Sequence, residues 1–457
     1  MNQAVNSIEL DIDLSEELGA AATAGDAARL NALFERLSLA EALRELLELS
    51  ADDRRKVLTL ISPEVAAGLV EEAPHELGAD LMEDLEPARA REIMDEMDSD
   101  VQADLIGDME AAEAEAILSQ MDAEEAAEVR RLSGYDDDTA GGLMMSEVFE
   151  CRSTMTVSDV IKVIAKDDED VDRYRGQHPY IVDEAGKLVG VVSLRGLLAT
   201  KRAALLTTIM VKPMSVQVDT DLSDLEDIFD KYDFLGVPVV DASGELLGVV
   251  SRDAVSKALL ERAESENLKL QGVVGDELRS MPTGLRSRRR LVWLSANIIL
   301  NMIAASVISA YEETLLAVIA IAVFLPMVSD MSGCSGNQAV GVTMRELSLG
   351  LVRPKDAVKV WFKEISVGII NGIALGILIG IVAWIWKGSP ALGLVIGAAL
   401  ALNTMLAVSI GGVVPLLLKR IGQDPAVASG PLLTTVTDMA GFFFVLSLAT
   451  LMMPWLV

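Results

Sequence analysis

The chain has 457 residues, a formal net charge of −32 and two cysteines. So acidic a balance, with no basic stripe to offset it, repels nucleic acid. One cysteine in each half, Cys151 and Cys334, excludes a disulfide framework and suits a reducing cytosol. With only His75 and His178, and no P-loop, nucleophile elbow or Cys/His zinc cluster, an enzyme is not expected.

Charge divides the chain in two: residues 1–284 carry −36 and the remainder +4. An acidic soluble part therefore precedes an apolar membrane part. The opening MNQAVNSIELDIDL has no basic n-region and no apolar core, so no signal peptide is expected there. Next, ADLMEDLEPARAREIMDEMD from Ala79 recurs as ADLIGDMEAAEAEAILSQMD from Ala103, and Pro63 and Pro87 keep the same 24-residue spacing. Helix-favouring residues at this period predict stacked short helices, a small α-solenoid over 1–134. Met82, Leu85, Ile93, Met97, Leu105, Met109, Ile117 and Met121 are its expected core.

A second repeat follows. YIVDEAGKLVGVVSLR and PVVDASGELLGVVSRD place Asp183 on Asp241 and Gly190 on Gly248. Each copy reads as strand, Asp-x-x-Gly turn, strand, then a helix start at Ser193 or Ser251, with helices Val157–Ile164 and Leu222–Asp230 upstream. These α/β units, 135–202 and 203–262, resemble a tandem CBS module. CBS modules that bind a nucleotide commonly carry an acid three residues after the Ser/Thr; Gly196 and Ala254 stand there, so a structural role is expected rather than nucleotide binding. His178, in QHPYIV, is placed in a CBS strand, where a turn or packing role is expected rather than catalysis or metal binding. A polar helix, Val255 to Leu270, then leads to a joint at Gly272, Gly275, Pro282 and Gly284, within a connecting segment 263–286.

Five apolar stretches make up the all-α membrane part, 287–457: Leu291–Ala310, Leu315–Val342, Ile365–Trp386, Leu392–Leu418 and Val427–Val457. Arg286, Arg288, Arg289 and Arg290, then Arg345, Arg353, Lys355, Lys359 and Lys363, then Lys419 and Arg420 fall on one side; Glu312, Glu313 and Lys387 fall on the other. The positive-inside rule puts the soluble part in the cytosol and the C-terminus outside. In the second stretch, Asp330, Cys334, Asn337 and Gln338 share one helical face. Gly333, Gly336 and Gly341 beside them either bring carbonyls within reach or allow close helix packing. Pro326 is expected to free a carbonyl one turn earlier. In the fifth, Asp438 is a lone acid beside Thr434, Thr435 and Thr437. An Asp at a membrane helix centre costs about 2.5–3.5 kcal/mol on insertion scales. Such a cost implies lining an ion path, pairing within the bundle, or bracing it. Hard divalent cations take oxygen ligands of this kind, and Mg2+ is often held by one or two carboxylates with its waters kept.

Taken together, the chain resembles the MgtE family of magnesium channels over nearly its whole length. The order matches: acidic helical N-domain, CBS pair, connecting plug helix, five membrane helices. The most specific matches are Gly333, Gly336, Asn337 and Gln338, and Pro431 with Asp438-x-x-Gly441; RLSGYDDDTAGGLM before the first CBS unit is also typical. The resemblance implies a homodimer in the cell membrane with one pore between two copies. It places Asp438 on the acid that holds hydrated Mg2+ through its waters, and Asn337 on the pore-facing amide; Asp330, Thr434 and Gly333 complete the expected metal-contacting set. Two departures stand out. Asp330 and Cys334 replace Gly and Asn of better-studied members, which points to a second acidic ring and altered selectivity. The family also closes when cytosolic Mg2+ bridges acids on N-domain, second CBS unit and plug helix, and several of those positions are Ala254, Lys257, Arg262 and Ser265 here. Asp253, Glu261, Glu264 and Glu266 are the remaining candidate regulatory acids, so a weaker or differently placed response is expected. The alternatives are transport of Co2+, Zn2+ or Mn2+ by the same architecture, or a membrane-bound CBS sensor that conducts nothing.

Overall fold

The computed structural model describes residues 14, 17–165, 178–273, 275, 277–279 and 281–457. The opening segment, expected to hold no signal peptide, lies largely outside them. The chain forms two compact units, Met1–Arg262 and Ala263–Val457.

The first unit begins with short helices: α1 (Ala27–Phe34), α2 (Leu39–Glu48), α3 (Ala51–Leu60), α4 (Pro63–Glu72), α5 (His75–Glu83), α6 (Pro87–Met94), α7 (Ser99–Asp108), α8 (Ala111–Leu118) and α9 (Ala123–Leu132). The 24-residue period is one helix pair. Pro63 and Pro87 both sit in the first turn of their helices, where a missing N–H costs nothing. Ser38, Ser50 and Ser62 cap α2, α3 and α4 by accepting from the backbone N–H three residues on. Helices this short are marginal alone, and they are held by one apolar face each. All eight expected core residues are buried.

Two sheets follow. β2 (Glu150–Arg152), β3 (Tyr180–Val182) and β4 (Leu188–Val191) form one; β1 (Met144–Met145), β7 (Leu246–Ser251), β6 (Gly236–Val240) and β5 (Val216–Gln217), in that order, form the other. Helices α10 (Val157–Ile164), α11 (Leu194–Ala199), α12 (Leu222–Lys231) and α13 (Arg252–Leu270) complete this region. The Asp-x-x-Gly turns form as expected. Asp183 Oδ1 accepts from the N–H of Ala185 and Lys187, and Asp241 Oδ1 from those of Ser243 and Glu245. Gly186 and Gly244 take the left-handed conformation, φ 76° and 86°, that closes each turn. The copies meet through these hairpins: Leu188 N–H donates to Gly244 O at 3.0 Å and Leu246 N–H to Gly186 O at 3.2 Å. β1 lies within 135–202, the expected first unit, yet pairs with β7 of the second, Met144 opposite Val250. His178 falls outside β3 and is exposed, so it is not a strand residue.

Among the described residues, the second unit holds five helical segments long and apolar enough to cross a membrane: Thr283–Ala310, Ile319–Ser348, Pro354–Lys387, Pro390–Arg420 and Gly430–Leu451. The helices are α14 (Thr283–Ala310), α15 (Glu312–Ala317), α16 (Leu325–Ser348), α17 (Ala357–Lys387), α18 (Pro390–Arg420), α19 (Pro425–Leu451) and α20 (Met453–Leu456). Three expectations are corrected. The second stretch is not one helix from Leu315: a 3-10 turn over Ile319–Val323 separates α15 from α16. Pro326 lies in the first turn of α16, where its missing N–H is an orphan in any case, so it frees no mid-helix carbonyl. The fifth helix ends at Leu451, before Pro454. Before α14, Glu277 pairs with Arg286 at 3.2 Å and with Arg290, which ties the glycine joint to the start of the first span. The long helices α17 and α18 meet along Gly372, Gly376, Gly393 and Gly397. A Cβ on Gly376 would lie 2.5 Å from Gly397 O.

Candidate ion site

Within α16 the sequence sorts into two faces. Ser329, Ser332, Ser335, Gly336, Ala339 and Val340 are buried against the bundle, whereas Asp330, Cys334, Asn337 and Gln338 are exposed. The predicted helical face is thus one open polar strip. Among the described residues, neither Asp330 nor Asn337 has a hydrogen bond or ion pair within the unit, so their oxygens are left for something outside it.

Asp438 on α19 is half-buried beside this strip. Ser329 Oγ of α16 donates to its Oδ1, which fixes one oxygen and leaves the other lone pairs. Asp330 follows Ser329 directly in sequence, so the two acids stand on the facing helices α16 and α19. One turn before Asp438, Thr434 is exposed and gives its hydroxyl proton to Gly430 O at 3.0 Å; Thr435 gives its own to Pro431 O at 2.7 Å. A threonine whose proton is committed to its helix presents only oxygen lone pairs outward, as a cation requires. Thr437 is buried, donates to Thr434 O at 3.0 Å, and faces inward. Gly333 faces α19, where an added Cβ would come to 3.8 Å of Thr437 Oγ1. Gly336 is the tight position: a Cβ there would lie 2.9 Å from Leu433 Cδ2 and 3.1 Å from Ala407 O, so it serves helix approach.

The structure thus brings Asp438, Asp330, Asn337, Thr434 and Gly333 to one pair of helices. It does not gather Asp253, Glu261, Glu264 and Glu266. Asp253 and Glu264 are exposed. Glu266 accepts from Ser348 Oγ at 3.3 Å, and one residue turn on, Lys269 pairs with Asp424 at 3.2 Å. Glu261 turns toward the N-domain instead. Its Oε1 is 3.4 Å from His75 Nε2, while His75 Nδ1 is 3.9 Å from Asp104 Oδ2. Among the described residues, no group of three His, Cys, Asp or Glu is placed to hold a bare metal ion.

Sequence reasoning missed Ser329, Asn403 and the His75–Glu261 contact. Asn403 lies mid-way along α18 and is fully buried; its Nδ2 donates to Thr437 O at 3.0 Å. A lone amide in the apolar run ALNTMLAV was a visible signal. The His75 contact was not, because 186 residues separate the partners.

The model described as a divalent cation transporter matches residues 325–448, that of the MgtE intracellular N domain matches 37–138, and CBS domains match 140–201 and 206–261. Magnesium transporter MgtE of Enterococcus faecalis is 36% identical over 428 residues, 93% of this chain and 94% of its own. The chain belongs to the MgtE family. The MgtE of Thermus thermophilus is 35% identical over 72% of this chain and 73% of its own, and that of Bacillus subtilis 31% identical over 71% and 72%. The crystal structure of the cytosolic domain of the Mg2+ channel MgtE in complex with ATP covers 53% of this chain and 99% of its own at 31% identity, with a TM-score of 0.48. The helical N-domain, CBS pair and five apolar helices are the layout of this MgtE-family chain, and membrane transport of divalent cations is the family's activity.

Proposed function

We propose that two copies of this chain enclose a Mg2+ path lined by Asp438, Asp330, Asn337, Thr434 and the backbone around Gly333. The protein is a magnesium transporter or channel, as its three MgtE relatives are. The observation that carries the lining is the open polar strip of α16. A carboxylate and two amides on the outer face of a membrane helix are expensive toward lipid. A second copy that meets the strip turns that cost into a water-filled, acidic passage. Mg2+ dehydrates reluctantly and is commonly held by one or two carboxylates with several waters kept, so the ion passes the carboxylates of the two copies with most of its shell. The basic residues flanking the spans support N-terminal domains in the cytosol and a C-terminus outside. The charge of −36 on residues 1–284 supports control by cytosolic divalent ions: like charges push the acidic parts apart until cations screen them.

A second reading keeps the architecture and changes the ion. Cys334 is exposed on the same strip, and a thiol suits softer divalents such as Co2+ or Zn2+ better than Mg2+. One experiment addresses both. Purified protein in liposomes takes up Mg2+, and Asp438→Asn abolishes uptake while the protein remains assembled. Equal uptake by the variant would remove Asp438 from the path. Co2+ that passes faster than Mg2+, and loses that advantage in Cys334→Asn, would favour the second reading.

A further inference from the structure

We propose that Asn403 is the positioning residue that sets the rotation of α19 and so aims Asp438 into the ion path. The proposal rests on Asp438 lying in that path. Three observations carry it. Asn403 Nδ2 donates to Thr437 O, the carbonyl of the residue preceding Asp438. Only the amide nitrogen can donate to a carbonyl, so this contact fixes which way the side chain faces. The second observation is the space made for it. A Cβ on Gly441, one turn beyond Thr437, would lie 2.7 Å from Asn403 Nδ2 and 3.6 Å from Ser329 Cα. Gly441 is therefore the notch that admits the amide, and any larger residue would push it off the helix. The third is the cost. Asn403 Oδ1 and the hydroxyl of neighbouring Thr404 are buried with no hydrogen-bond partner among the described residues. A leucine would fill the site without stranding a polar oxygen. A half-satisfied amide in the middle of a membrane helix is kept for the half that is satisfied.

The contacts form one layer across three helices. Ser329 of α16 holds the carboxyl tip of Asp438, while Asn403 of α18 holds the backbone beneath it. A tip contact alone lets the helix turn and carry the side chain with it. A backbone contact beside the acid resists rotation of α19 about its axis. Because Asp438 is only half-buried, a modest turn either buries its carboxylate among α16 and α18 or swings it away from Asp330.

The test uses the full-length protein in liposomes and reads orientation apart from flux. Cys334→Ser removes the exposed thiol, Asp438→Cys places a reporter at the acid, and a water-soluble cationic thiol reagent measures its access. Asn403→Leu is expected to slow modification of the reporter about tenfold or more, since a displacement near one ångström suffices to misplace a group. Gly441→Ala, which keeps the amide but fills its notch, gives the same slowing. With Asp438 intact, both substitutions lower Mg2+ influx by a similar factor and change the ratio of Mg2+ to Co2+ uptake, which a loss of stability alone does not do. A reporter modified at the original rate in both variants overturns the positioning role, even if influx falls. Asp438→Asn separates the two levels: if it conducts like the unaltered protein, the path itself is misassigned, whereas a dead Asp438→Asn beside a fully active, unshifted Asn403→Leu discards the positioning role alone.

Discussion

Asp330 stands on an exposed helix edge without a hydrogen bond or ion pair among the described residues, next in sequence to Ser329, which donates to the second carboxylate, Asp438. Neither burial nor pairing explains it, so its value lies in the field it projects. Acidic rings at a narrow mouth concentrate cations, and the gain fades as salt screens it over roughly 8 Å at physiological strength. Asp330→Asn should therefore lower Mg2+ influx about three- to tenfold when both Mg2+ and salt are dilute, and little at high ionic strength. Influx measured across a salt series checks this. An equal loss at every ionic strength would assign Asp330 to direct contact with the ion, and no loss at any would remove it from the path.

At the scale of elements, the α17–α18 seam shows what the bundle needs in order to hold such a strip. Gly376 and Gly397 present each other only backbone, and a Cβ on either would reach 2.5 Å from the opposite carbonyl. Inside a bilayer no hydrophobic effect drives helices together, so close van der Waals contact must do so. Gly376→Val should separate the helices and destabilise the membrane unit by about 1–3 kcal/mol, the usual cost of overpacking. A lowered thermal midpoint in detergent, with ion selectivity unchanged in whatever protein still conducts, is the expected outcome; an unchanged midpoint would show the seam to be loose. This scale also marks how far the sequence could be read. Asp438 and the Asp330–Asn337 strip were legible because a polar group in an apolar stretch is anomalous on its own. The N-domain helix pairs were legible from their period. The break over Ile319–Val323 was not, since Val, Ile and Ala there fit a helix as well as a 3-10 turn. Ser329 was not, because its meaning comes from α19, and a serine at that point in α16 reads equally well as small-residue packing. β1 was not legible either, because what makes it a strand is its pairing with β7, far away in sequence.

Across the whole molecule, the excess of acid sits in residues 1–284, and one histidine within them has a distinctive placement. His75 at the start of α5 faces Glu261 of α13 and Asp104 of α7, with Lys257 of α13 also near. The hydrogen bond to Glu261 raises the pKa of His75 despite its partial burial. Burial raises that of Asp104, with Asp100, Asp137 and Asp108 adding to the effect against the pull of His75. Burial also pushes Asp100 up to about 6, assisted by Asp98 and Glu147. The signs agree. His75, raised above its unfolded value, stabilises this contact fully below pH 6.5 and loses that stabilisation as pH rises through its folded value. The two aspartates, also raised, carry a cost that accumulates as pH climbs from 3.8 to about 6 for Asp100 and to about 7 for Asp104. The N-domain contact with α13 should therefore be tighter at pH 6 than at pH 8.5. Mg2+ should restore it at the higher pH, because a divalent ion supplies the positive charge that the imidazolium has lost. Limited proteolysis of the full-length protein at both pH values, with and without millimolar Mg2+, measures this; His75→Gln should cut at pH 6 as readily as the parent does at pH 8.5, and still be protected by Mg2+. Cleavage that ignores pH in the parent protein would show that His75 is a passive surface residue. Cleavage that responds to pH but not to Mg2+ would separate proton sensing from ion sensing and place any Mg2+ control elsewhere on the acidic half.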